Sequence, residues 1–152
     1  MIVRVDPASD KVCNIGDPRT GLESKFSLRH TVAFALAGID TASLETYSDD
    51  NAVAASLVAL RDKIHIDLAV GQGYTITDSE VVVETTEGAR YVLRYDSGIP
   101  ASDLHEQQRQ LEAKFTSLAT PTLGRERAAE VLAVVARTDE LSSMSELTRL
   151  LA

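Results

Sequence analysis

Arg19, Lys25, Ser27, Arg29 and His30 crowd one short stretch of the chain, and between them they hold most of the chemistry that the sequence offers. Arg19, Lys25 and Arg29 are cations suited to holding an anion such as a carboxylate. His30 carries the side chain whose ordinary pKa, about 6.5, best matches proton transfer near neutrality. Ser27 supplies a hydroxyl for hydrogen bonding, and no histidine and carboxylate are placed by sequence to make it a nucleophile. Thr20 followed three residues later by Glu23 is a capping-box pattern. It predicts a helix that begins near Gly21, runs to about residue 37 and is closed by Gly38. Phe26, His30, Ala33 and Ala37 recur at helical spacing and share one face. The start of such a helix presents unpaired N–H groups and the positive end of the macrodipole, which favour an anion there.

The elements that must position this stretch follow from periodicity. Residues 2 to 6 are a β-branched strand that starts abruptly, as if cut from something longer, and a loop from Pro7 to Arg19 leads to the helix. Ser48-Asp49-Asp50 caps a further helix in which Val53, Leu57, Leu60 and Ile64 form a stripe, ending near Arg61. Ile64, Ile66 and Leu68 then alternate with polar residues, as in a half-buried strand. The alternation returns at residues 80 to 85, and Thr86-Glu87-Gly88-Ala89 reads as the turn of a hairpin. The apolar face of the returning strand is Tyr91, Leu93 and Tyr95, with Arg90 and Arg94 set to pair with Glu84 or Glu80. Gly98 and Pro100 mark the best domain boundary, so residues 1–98 and 99–152 are taken as separate regions. Past it the pattern is helical: one helix through Leu118, a break at Thr120-Pro121, a second helix over Ala128 to Val135, and a short third capped by Ser143 with Glu146.

The stretch from Asn14-Ile15 through Thr20-Gly21, the run Glu23 to His30 ending in Lys-Phe-Ser-Leu-Arg-His, and Ala33 to Gly38 resemble the MmgE/PrpD family. That family includes 2-methylcitrate dehydratases, cis-aconitate decarboxylases and an iminodisuccinate epimerase. Weaker support comes from residues 58–64 and 111–115, and the resemblance is to the family's C-terminal part alone. It implies an α+β fold, a small mainly antiparallel sheet with helices on one face, which acts as a lid over a large helical domain and is followed by a helical tail that packs on that domain. It further implies a cofactor-independent lyase or isomerase chemistry on a small polycarboxylate, with His30 moving the proton and Arg19, Lys25, Ser27 and Arg29 holding the substrate. A tyrosine commonly matches His30 in the decarboxylase and methylcitrate dehydratase branches. The departure changes the pKa of that donor by several units and makes epimerisation more plausible. The partners implied are the helical domain or a separate helical subunit, and a second copy in a homo-oligomer. The isolated chain is expected to be inactive, because a lid alone cannot enclose a substrate.

Each singled-out residue also has a structural reading. His30 on an apolar face reads as a satisfied core residue, Lys25 and Arg29 as a solvated face, and Cys13 as a small buried side chain. The whole chain competes with a non-catalytic module that keeps the fold and associates with itself, for which residues 102 to 152 offer an apolar surface. Composition narrows the classes. A net charge of −8 argues against nucleic acid, whose phosphates need a basic face. Three scattered histidines and one cysteine give no zinc spacing, and Gly71-Gln72-Gly73 lacks the rest of a dinucleotide fingerprint. No metal or organic cofactor is therefore expected. Neither a signal peptide nor a membrane span is visible at the N-terminus, and one cysteine forms no internal disulfide, so a cytoplasmic setting is the default.

Overall fold

The computed structural model describes residues 1–151, and the chain divides into two compact units, Met1–Pro100 and Ala101–Ala152. The first holds β1 (Ile2–Val5), α1 (Ser9–Cys13), α2 (Gly21–Lys25), α3 (Leu28–Leu36), α4 (Asp49–Val53), α5 (Ala55–Arg61), β2 (His65–Asp67), β3 (Asp78–Glu84) and β4 (Arg90–Asp96). The second holds α6 (Leu104–Leu123), α7 (Arg125–Val135) and α8 (Ser145–Leu150). The architecture is α+β with a helical tail. The sheet is mixed rather than purely antiparallel: its order is β2-β1-β3-β4, with β1 parallel to β2 and the other two pairings antiparallel. The parallel pair arises because the connection from β1 to β2 crosses through five helices, and a crossover returns a strand in the same direction.

The period of two sorts the strands onto two faces. Val3 and Val5 of β1 are buried and join Ala33 of α3 and Ile64 in the core, with Leu28, Val32, Leu60, Ile66 and Val81 packed around them. On the opposite face Arg4 lies across from Asp67 on β2 and Glu80 on β3. Its guanidinium bonds both, Nε to Asp67 Oδ2 at 3.0 Å and Nη1 to Glu80 Oε1 at 2.5 Å. The Ala69 N–H and then Arg4 hold the Asp67 carboxyl below its ordinary range. Because Arg4 takes Glu80, Arg94 turns to Asp78 instead, 3.1 Å away, while Arg90 faces Glu84 at 3.8 Å.

Four boundaries depart from the periodicity. The loop after β1 contains α1, begun by an Asp6-centred turn whose carboxylate accepts the Ala8 N–H at 2.7 Å. The helix expected over residues 21 to 37 is two helices, because Ser27 is extended (φ −118°, ψ 104°) and bridges to Asn14. The next one also divides, at Ala54, whose ψ of 123° takes it out of the helical region. Residue 121 does not separate helices: Pro121 sits in the last turn of α6, and Gly124 at φ 79° makes the break before α7. The expected cap of α8 is altered too. Ser143 Oγ accepts from the Ser145 N–H and Glu146 accepts from Ser142, so the reciprocal box does not form.

Candidate functional site

The capping box forms as the residue spacing requires. Thr20 Oγ1 accepts the Glu23 N–H at 3.2 Å, and Glu23 Oε2 accepts the N–H groups of Thr20 and Arg19 at 3.3 and 2.7 Å. The anion that this helix start calls for comes from within the chain, since Asp49 Oδ1 accepts the Gly21 N–H at 2.8 Å. Asp49 opens α4, so its carboxylate serves one helix start while its backbone belongs to another. The first of these N–H groups is thus closed to an outside anion by the chain's own acid.

Two of the five residues singled out, Ser27 and His30, are buried rather than presented on a surface. Ser27 is buried, and its Oγ accepts the His30 N–H at 3.3 Å as the cap of α3. His30 has no exposed surface. Its Nε2 lies 3.1 Å from the Asn51 carbonyl, which assigns the ring proton to Nε2 and leaves Nδ1 as a buried lone pair without a partner among the described residues. The ring stacks edge-on against Phe34 at 4.8 Å between centroids. Lys25 is exposed, with its ammonium 5.8 Å from the centre of the Tyr47 ring. Arg29 is half-buried, and its Nε has no hydrogen-bond partner among the described residues.

Arg19 alone of the five lines an open recess of about 440 Å³, with Asp17, Pro18, Ala52, Val53, Ala55, Val58 and Arg61. Asp17 ties two cations together there. One oxygen accepts from Arg19 at 2.5 Å and the other from Arg61 at 2.8 Å. Against the cost of burial, those two guanidinium groups hold the Asp17 carboxyl below its ordinary range. Arg61 is buried, and its remaining donors go to Asp62 at 2.9 and 3.0 Å. An anion entering the recess would meet Arg19 and Arg61 only in competition with Asp17. Arg61 and Asp17 were not among the residues singled out from sequence. The signal for Arg61 is its place four residues after Leu57 and three before Ile64, which puts a cation on the buried stripe of α5.

Burial lowers the pKa of His30; the bond to Asn51 opposes this and the charge of Arg61 adds to it. The sign for stability follows. Above about pH 6.5 the ring is neutral in both folded and unfolded chains, and its contribution is fully present. Below that, the unfolded ring binds a proton that the folded ring resists, and the contribution is lost as pH falls toward the folded value. Asp17, Asp67 and Asp78 are all lowered from 3.8, so their losses come only at more acid pH. The midpoint of thermal unfolding is therefore expected to drop between pH 7 and pH 5, and His30→Gln should flatten that slope. Circular dichroism melts at three pH values in the window measure both.

Burial also pushes the Cys13 thiol up, which keeps it protonated and poorly nucleophilic. Among the described residues no group of three or more His, Cys, Asp or Glu could hold a metal ion, and no helix is long and apolar enough to cross a membrane. Helices on one face of a mixed four-stranded sheet, a capping box beside a cation-lined recess and a helical tail define a class of α+β domain. The chain matches the MmgE/PrpD C-terminal domain over residues 2–140 and belongs to that family. No curated protein matches it closely enough for comparison.

Proposed function

We propose that this chain is the lid portion of an MmgE/PrpD-type enzyme that moves a proton next to a carboxylate of a small polycarboxylate, in a dehydration, decarboxylation or epimerisation. The observation that carries the reading is the family match over residues 2–140. The recess beside α2 adds to it, because Arg19 at its rim and Arg61 at its floor are groups that recognise carboxylates. In this reading Arg19 meets the substrate through the recess, and Lys25 and Arg29 contribute charge around it. Ser27 acts through His30, by fixing the start of α3. His30 takes or gives the proton at Nδ1, the nitrogen left without a partner among the described residues. That role requires the cover over the ring to be displaced when the lid meets the family's helical domain, whether in the same protein or as a separate subunit.

A second reading has a specific observation in its favour. Nε2 of His30 is engaged and the ring is sealed, while a large apolar strip elsewhere in the same unit is open, as befits a non-catalytic module that associates with itself. Turnover assays separate the two. The chain alone is expected to show no dehydratase, decarboxylase or epimerase turnover on small di- and tricarboxylates. Co-expression with a helical domain of the family is expected to generate turnover that Arg19→Ala weakens and His30→Gln abolishes. Turnover by the chain alone would refute the lid reading, and turnover indifferent to both substitutions would remove these residues from the site.

A further inference from the structure

The sheet ends on one side in β2, three residues long, and on the other in β4, seven residues long. Short edges are self-protecting, whereas a long edge offers a template for another strand. Hydrogen-bonded pairs alternate along β3 and β4. The Ser97 N–H donates to Thr77 and the Thr85 N–H to Ala89, so the odd-numbered residues of β4 bond inward to β3. Arg90, Val92, Arg94 and Asp96 therefore turn their backbone N–H and C=O groups outward, where no strand follows among the described residues.

The side chains add a second, independent feature. Tyr91, Leu93 and Tyr95 stand across from Val83, Val81 and Ser79, and so lie on the same face as the core residues Val3 and Val5. On β1 that face is covered by helices, yet on β4 these three are 63%, 72% and 66% exposed. An apolar strip thus runs along an open edge.

We propose that two copies of this chain join through β4, antiparallel about a two-fold axis at Leu93, into one continuous sheet. This rests on the self-association reading above and names its surface. In an antiparallel pair, outward-turned residues must oppose outward-turned residues, which restricts the axis to whole-residue positions on β4. An axis at Leu93 pairs the whole strand. It sets Arg90 against Asp96 of the second copy at both ends, Tyr91 against Tyr95 and Leu93 against Leu93. Moving the axis to Val92 would set Arg90 against Arg94, and moving it to Arg94 would set Arg94 against itself. Each alternative also leaves two residues of the strand unpaired. Opposite charges and aromatic pairs across strands are favourable and like charges are not, so complementarity of charge and of apolar surface select the same register.

The test is the oligomeric state of the full chain. A single strand pairing lies at the small end of interfaces, so sedimentation velocity is run at a loading on the order of 100 μM, where a dimer is expected. Leu93→Lys places two ammonium groups across the axis at an exposed position, and should weaken the dimer at least about tenfold with the circular dichroism spectrum unchanged. Leu93 and its counterpart form a non-hydrogen-bonded pair with Cα atoms about 4.5 Å apart, within disulfide reach. In a Cys13→Ser background, Leu93→Cys should then cross-link at least about tenfold faster than Ile99→Cys, a site of similar exposure at 67%. A chain that stays monomeric, a dimer that Leu93→Lys leaves equally tight, or cross-linking no faster at 93 than at 99 overturns the proposal. None of these outcomes touches the lid reading, which the turnover assays decide.

Discussion

Phe34→Ala is expected to cost about 3–5 kcal/mol, a large share of the stability of a domain this size. Phe34 has no exposed surface and is the largest fully buried side chain in the protein. Its ring meets His30 edge-on at 4.8 Å and Tyr47 edge-on at 5.7 Å, so it is the middle of a three-ring stack that joins α3 to the segment before α4. Removing it leaves a cavity whose walls are held by separate hydrogen bonds, His30 to Asn51 and the Tyr47 hydroxyl to Thr41, and which therefore closes poorly. Phe34→Leu keeps much of the volume but loses both edge-on contacts, and should cost about 1.5 kcal/mol. Urea unfolding of the three proteins measures the series. Equal costs for the two variants would place the effect in the ring contacts rather than in the cavity.

Gly21→Ala carries the second large effect, and its sign is diagnostic. At an ordinary helix position alanine is better than glycine by roughly 0.5–1 kcal/mol. Here a Cβ would lie 2.5 Å from the Tyr47 carbonyl carbon and inside contact distance of its oxygen, both backbone atoms that cannot rotate aside. The substitution must push α2 away from the Tyr47–Ser48 peptide and break the bond from Gly21 to Asp49. A loss of about 3 kcal/mol is expected, against about 1 kcal/mol for Thr20→Ala, which removes only the cap. Thermal unfolding of both variants checks the order, and a stabilised Gly21→Ala would show that α2 does not pack as described.

The features legible in the sequence were those written in local chemistry. The Thr20 and Glu23 box, the Glu87-Gly88 turn and the alternation of Tyr91, Leu93 and Tyr95 each need only a few neighbouring residues, and each is found. The α+β class was implied by the family resemblance, and the mixed sheet with its helices and helical tail bears it out. The breaks at Ser27 and Ala54 were hidden because helical spacing continues across them: Phe26 and His30 stay four apart whether or not Ser27 is extended. At Ser27 the cause is tertiary, a bridge to Asn14, and at Ala54 the residue itself favours a helix. The parallel pairing of β1 with β2 depends on how five helices pack, which no periodicity encodes. Around the candidate site, residue types were read from one segment, whereas Asp49, Asn51 and Arg61 come from others. They decide what that segment's N–H groups, imidazole and guanidinium groups can still do.

β1 occupies the middle of the sheet although it opens the chain: Ile2 finds its neighbours at His65 and Val82. Neither flanking strand pairs with the other, so the hairpin and β2 are joined into one sheet through residues 1 to 5. Loop closure over such separations is entropically costly and slows folding. Assembly of the layer is thus governed by the arrival of its earliest-made segment, and until it docks the hairpin has two bare sides rather than one.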